Sequence, residues 1–90
     1  MSVEITIPPF LQHLAGGVKQ ARVEGKTVAE CLEALVAKYP ELKPRLFGRN
    51  GKLPCGLNIF VNGESAFPGE LSRQVKEGDR IHIAYVMVGG

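Results

Sequence analysis

Val3-Glu4-Ile5-Thr6-Ile7 alternates apolar and polar side chains with a period of two, the spacing that gives a strand one buried and one open face. Pro8-Pro9 ends it, because proline has no N–H to give to a ladder. Phe10, Leu11 and Leu14 are apolar without a clean period, and Gly16-Gly17 signals a turn. Val18 to Val23 reads as a second strand, antiparallel to the first across a longish connection. The period then changes. Thr27 is followed by Val28, Cys31, Leu32, Leu35, Val36 and Tyr39 at helical spacing. Glu30, three residues after Thr27, completes a capping-box pattern. Glu30, Glu33, Ala34, Ala37 and Lys38 take the opposite face, and Pro40 closes the helix.

Glu41 to Gly56 is a long mixed connection, in which Leu42, Leu46 and Phe47 allow one short helical turn broken by Pro44. Alternation returns at Leu57 to Val61, with Leu57, Ile59 and Val61 on one face and Asn58 and Phe60 on the other. Asn62-Gly63 is a tight-turn signal, and a short strand around Ser65 to Phe67 follows. Pro68-Gly69 and Gly78-Asp79 are further turns. Arg80 to Val86 reads as the last strand: Ile81, Ile83 and Tyr85 alternate with Arg80, His82 and Ala84. The order is strand, strand, helix, then two or three strands. It predicts an α+β domain, a mixed sheet of four to five strands with one main helix on one face and the other face partly open. The domain spans residues 1–86, and 87–90 form a flexible C-terminal tail.

Ninety residues suffice for one domain with a modest core. A net charge of +2 and a pI of about 8.7 fall short of the basic footprint of a nucleic-acid binder. No apolar run approaches the roughly 20 residues needed to span a membrane, and the N-terminus lacks the pattern of a signal peptide. The expected location is the cytoplasm, with no nucleic-acid or membrane partner, and the expected free state is a monomer. Cys31 and Cys55 form neither a CxxC pair nor a zinc cluster with His13 and His82, so no metal site is expected. Cys31 sits on the apolar stripe of the helix and reads as a core residue. Cys55, in Leu53-Pro54-Cys55-Gly56, reads as an incidental loop thiol. His13 and His82 read as surface residues, and Glu77 and Asp79 as turn residues rather than an acid–base pair. No Gly-rich loop precedes a helix in phosphate-binding form.

The chemistry concentrates at the end. Met87-Val88-Gly89-Gly90 directly follows the last strand, and four extended residues reach at most about 13–14 Å. Glycine lacks a Cβ, so the tip fits a narrow channel, and the Gly90 carboxylate is the one reactive group there. A carboxylate is a poor electrophile until it is activated. Adenylation makes it a mixed anhydride, and a sulfur nucleophile that displaces AMP leaves a thiocarboxylate. Composition alone produces a terminal Gly-Gly in roughly 1–2% of such chains, so its weight comes from its place after the closing strand.

Ile7-Pro8, Leu11, Gly16-Gly17, Asn58-Ile59-Phe60-Val61-Asn62, Gly78-Asp79 and Val88-Gly89-Gly90, in this order and spacing, resemble the MoaD/ThiS family of β-grasp sulfur carriers, most of all its CysO-like group. The resemblance covers nearly the whole chain. It implies a ubiquitin-like fold and no catalytic residue. It implies an E1-like, ATP-dependent adenylating enzyme as partner, with ATP bound there and no cofactor here. It further implies that a Gly90 thiocarboxylate passes sulfur to an accepting biosynthetic enzyme of cysteine, molybdopterin or thiazole type, in that order of preference. Met87, Val88 and Gly89 would enter the partner's active site. Phe60, His82 and Ala84, with Met87, would form a docking patch, and Arg80 and Arg73 would steer the partner. Two other readings stand beside this one: a protein modifier that forms isopeptide conjugates through Gly90, and a β-grasp binding module with an inert tail.

Overall fold

The computed structural model describes residues 2–47, 57–67 and 69–85. Five strands form one sheet: β1 (Ser2–Thr6), β2 (Gln20–Glu24), β3 (Leu57–Val61), β4 (Glu64–Ser65) and β5 (Arg80–Tyr85), in the order β2-β1-β5-β3-β4. β1 and β5, the first and last strands, lie parallel in the middle, and every other pairing is antiparallel. The sheet is mixed and has five strands, within the expected four to five. The second strand starts two residues later than predicted, leaving Val18 half-buried against the core from the connecting loop.

Strict alternation does the sorting. Val3 and Ile5 of β1, Ala21 and Val23 of β2, Leu57, Ile59 and Val61 of β3, and Ile81 and Ile83 of β5 are all buried on one face. The main helix, α2 (Val28–Lys38), lies over that face and buries Val28, Cys31, Leu32 and Leu35. A contiguous core of this kind is where the hydrophobic effect stabilises a small domain. Before it, α1 (Pro9–Gln12) and a 3-10 turn at His13–Ala15 gather the aperiodic Leu11 and Ala15 into the same core. α3 (Lys43–Leu46) buries Leu46. Pro44 does not break this turn; it sits in its first turn, where a missing N–H costs nothing. Residues 48–56, including Asn50-Gly51 and Cys55, lie outside the described residues, as do Val86 and the tail 87–90.

The start of α2 departs from the expected box by one residue. Thr27 Oγ1 accepts from the Glu30 N–H at 3.2 Å, as an N-cap should. Glu30 Oε1, however, accepts from the Lys26 N–H at 2.9 Å rather than from Thr27 itself. Thr27 is instead docked sideways by a bridge to Gln74, flanked by Val28 N–H to Arg73 O and Val75 N–H to Lys26 O, each 2.9 Å. The approach is tight. A Cβ on Gly25 would lie 2.9 Å from both the backbone N and the Sγ of Cys31. Cys31 is fully buried, and burial, then the nearby Glu30 charge, pushes its thiol up to about 11.

Gly25→Ala is therefore expected to lower stability by about 1–3 kcal/mol, the usual cost of overpacking, measured by urea unfolding. Stability equal to wild type would show that the loop before α2 yields freely.

Candidate functional site

With one face of the sheet covered, the other carries the even-numbered positions: Glu4 and Thr6 of β1, Gln20 and Arg22 of β2, Asn58 and Phe60 of β3, Arg80, His82 and Ala84 of β5. The structure brings Phe60, His82 and Ala84 of the predicted docking patch together here, with the steering residue Arg80 on the same face. Phe60 pairs with His82 directly across β3 and β5, and Asn58 pairs with Ala84. Phe60 and Ala84 are half-buried, while His82 and Arg80 are exposed. Arg80 Nε lies 3.9 Å from Glu4 Oε1, a surface ion pair of small energetic weight. Arg73 is paired elsewhere, its guanidinium 4.0 Å from Glu64 at the β4 edge. Gly90, Gly89, Val88 and Met87 lie outside the described residues.

The face is shallow and open. One hollow of about 760 Å³ runs over Phe60, His82, Thr6 and Gln20 to Asn62 and Gly63. A second, of about 590 Å³, shares Thr6, Gln20 and His82 with it and reaches Pro8, Pro9 and Ala84 at the far end of β5. Thr6 and Gln20 were not singled out in the sequence as docking residues. Their period-two positions were legible, but only the β2-β1-β5 order shows that they border His82. Among the described residues the large hydrophobics most open to solvent are Phe10, 47% exposed, and Phe67, 72% exposed.

The tail leaves from β5, and β5 is held hard at its opposite end. Asp79 is a buried carboxylate, 8% exposed, where the sequence suggested an ordinary turn residue. Its Oδ1 accepts from Asn62 Nδ2 at 3.0 Å and its Oδ2 from the Lys76 N–H at 2.9 Å. Asn62 Oδ1 in turn accepts from the Arg80 N–H at 2.9 Å, and the Asn62 N–H donates to Arg80 O at 2.9 Å. The Glu4 N–H donates to Asp79 O at 3.1 Å. Through its carboxylate Asp79 thus ties the β3–β4 turn to the turn before β5, and through its backbone carbonyl it holds β1. Asn62 takes a positive φ of 52° to do it, followed by Gly63 at 86°, a conformation that Asn and Gly accept most readily. The Asn62 amide and then the Lys76 N–H hold the Asp79 carboxyl below its ordinary range. Among the described residues no His, Cys, Asp and Glu cluster could hold a metal ion, and no helix is long and apolar enough to cross a membrane.

The ThiS family profile matches residues 5–90. Small archaeal modifier protein 1 of Haloferax volcanii is 38% identical over 64 residues, 71% of this chain and 70% of that protein. Its crystal structure superimposes with a TM-score of 0.86 at 32% identity over all of both chains. The CysO of an Amycolatopsis orientalis BexX/CysO complex gives a TM-score of 0.87 at 34% identity, over 98% of this chain and 99% of that one. Mycobacterium tuberculosis CysO gives 0.86 at 32% identity, over 94% and 99%. The topology is the ubiquitin-like β-grasp of these neighbours.

The Asp79 ties yield a signed expectation. A carboxylate whose folded pKa is depressed adds stability above its unfolded pKa and loses it as pH falls through the folded value. Asp79→Ala should cost about 1–2 kcal/mol at pH 7. The gap to wild type should close as pH falls below about 4, where the carboxylate begins to protonate. Urea melts across pH check both. A gap that does not change with pH would deny the carboxylate this role.

Proposed function

The chain belongs to the ThiS family, and on that premise we propose that it is a sulfur carrier whose working group is the carboxylate of Gly90. The observation that carries this reading is the extent of the family match, which runs through Gly89-Gly90 to residue 90. The reading has the Gly90 carboxylate, present as the chain's end or freed by trimming, attack the α-phosphorus of ATP on an E1-like enzyme. Pyrophosphate leaves and an acyl adenylate forms. A sulfur nucleophile then adds to the acyl carbon, AMP leaves, and the tail carries a thiocarboxylate. Thiolate-type sulfur is a strong nucleophile, so the loaded tail can deliver sulfur to an electrophilic acceptor in a biosynthetic enzyme. The likeness to CysO favours an acceptor of cysteine type over molybdopterin and thiazole types.

The body's part is mechanical and electrostatic. It presents the tail from a strand hydrogen-bonded on both flanks, and it offers Phe60, His82 and Ala84 as a docking patch. Phe60 is the anchor of this patch, because half-buried aromatics give much contact at little entropic cost. Arg80 contributes steering rather than affinity. Acid–base or nucleophilic work by this chain's own side chains is not required.

A second reading has direct support from one finding, the 38% identity to small archaeal modifier protein 1. In it the same adenylate is captured by a lysine amine, and the product is an isopeptide conjugate. The two readings share activation and part at the nucleophile.

Intact-mass analysis separates them. After incubation with ATP, sulfide and the adenylating enzyme, one oxygen of the chain should be exchanged for sulfur. Deleting Gly90 or appending a residue after it should abolish the exchange. Lysine-linked ladders in extract that vanish with Gly90, without sulfur exchange, would select the modifier reading. An activity that survives the appended residue would refute both.

A further inference from the structure

The net charge of +2 is not spread evenly along the chain. Of eleven basic and nine acidic residues, residues 38–47 hold Lys38, Lys43 and Arg45 against Glu41, which leaves eight of each sign elsewhere. The whole excess therefore falls in one short stretch. That stretch winds tightly: α2 ends at Lys38, a 3-10 turn runs from Pro40 to Leu42, and α3 begins at Lys43. Leu42 and Leu46 are buried in the core, which turns Lys43, Pro44 and Arg45 to solvent. Lys38 and Glu41 are exposed too. None of the three basic side chains makes an ion pair with a described residue; Arg73 with Glu64 and Arg80 with Glu4 pair elsewhere. Lys38 sits in the last turn of α2, where the helix dipole favours a cation. Lys43 and Arg45 have no such local reason.

The place of this stretch in the fold follows from the strand directions. The segment between β1 and β2 leaves and rejoins the sheet at the Ile7 N–H to Lys19 O bond, 2.8 Å. That is the end beyond Thr6, and Thr6 lies beside His82 of the parallel β5, so it is the end toward which β5 runs. The 3-10 turn at Pro40–Leu42 packs against the one at His13–Ala15 in that segment. Lys38, Lys43 and Arg45 therefore stand at the tail end of the domain, level with the helix layer. Residues 86–90 number five, and five residues span at most about 18 Å. A channel that takes in the tip must bring its mouth close to this end.

We propose that Lys38, Lys43 and Arg45 form a basic shoulder that docks an acidic surface of the adenylating enzyme, beside the channel that receives the tail. This rests on the carrier reading above. The shoulder and the outer face do different work. Phe60 and its neighbours supply contact, whereas exposed charges act mainly on the rate and orientation of encounter. A charged site and an apolar patch at fixed separation let the domain approach in one orientation. A protein surface fits better than a nucleic acid. The excess charge is small, and Tyr39 and Phe47, the aromatics of the stretch, pack against the core rather than standing free to stack on bases.

The test is ATP–pyrophosphate exchange by the cognate adenylating enzyme, with the full-length chain as substrate and thermal melts to confirm folding. The double variant Lys43→Gln, Arg45→Gln should raise KM for the carrier about threefold, and Lys43→Glu, Arg45→Glu about tenfold or more, with kcat within about twofold. About 0.5 M NaCl, where screening is nearly complete, should raise the wild-type KM and erase most of the difference. Lys26→Glu, Lys76→Glu makes the same change in net charge at exposed positions away from the shoulder, and should leave KM within about twofold. A KM within about twofold of wild type for Lys43→Glu, Arg45→Glu overturns the shoulder alone, because exchange itself still proceeds. An equal rise for Lys26→Glu, Lys76→Glu overturns it as well, since net charge and not place would then be acting. Wild-type retention on polyuridylate RNA that Lys43→Glu, Arg45→Glu loses, with KM unmoved, assigns the surface to nucleic acid and overturns the proposal. Absence of exchange with the wild-type chain overturns the carrier reading, and the shoulder with it.

Discussion

The parallel pairing of β1 with β5 is the constraint on which the rest of this structure hangs. Glu4, Ile5 and Thr6 lie beside Arg80, Ile81 and His82, so the two ends of the chain meet in the middle of the sheet. Bringing together segments so far apart carries a loop-closure cost that must be met before the pairing rewards it. Burial of Ile5 and Ile81, both with no exposed surface, under α2 is what offsets it. The Asp79 ties then lock the register at the one place where a slip would start. A slip of one residue would turn Ile81 and Ile83 outward.

That constraint is also what makes the tail usable. A C-terminus leaving an edge strand would inherit the fraying of the edge. Here it leaves a central strand, paired to Leu57 through Tyr85 on one flank and anchored by Asp79 at the other end. On the carrier reading, the reactive group belongs to a tail rooted in that strand. The helix face and the outer face divide the labour: one supplies stability, the other is left for partners. β2, an edge strand, carries the charged Arg22 at its midpoint, which discourages pairing with a second copy.

Much of this was legible in the residues. Period-two alternation separated Ile81 and Ile83 from Arg80, His82 and Ala84 before any neighbour was known, because strand geometry alone dictates it. Thr27 and Glu30 announced the start of the helix. What the residues did not reveal depends on tertiary neighbours. Asp79 looks like a turn residue until Asn62, seventeen positions away, is seen to share its carboxylate. Pro44 looks like a breaker until the preceding 3-10 turn at Pro40–Leu42 supplies it with a first-turn position.

The central proposal is that this domain presents the Gly90 carboxylate to a partner's channel. It is tested most directly by the structure of the chain bound to its adenylating enzyme in the presence of ATP. The account predicts residues 86–90 extended inside the partner, the Gly90 carboxylate beside the α-phosphate, and the outer sheet face with Phe60, His82 and Ala84 against the partner. A complex in which the partner grips α2 and Gly90 lies away from the nucleotide would contradict it.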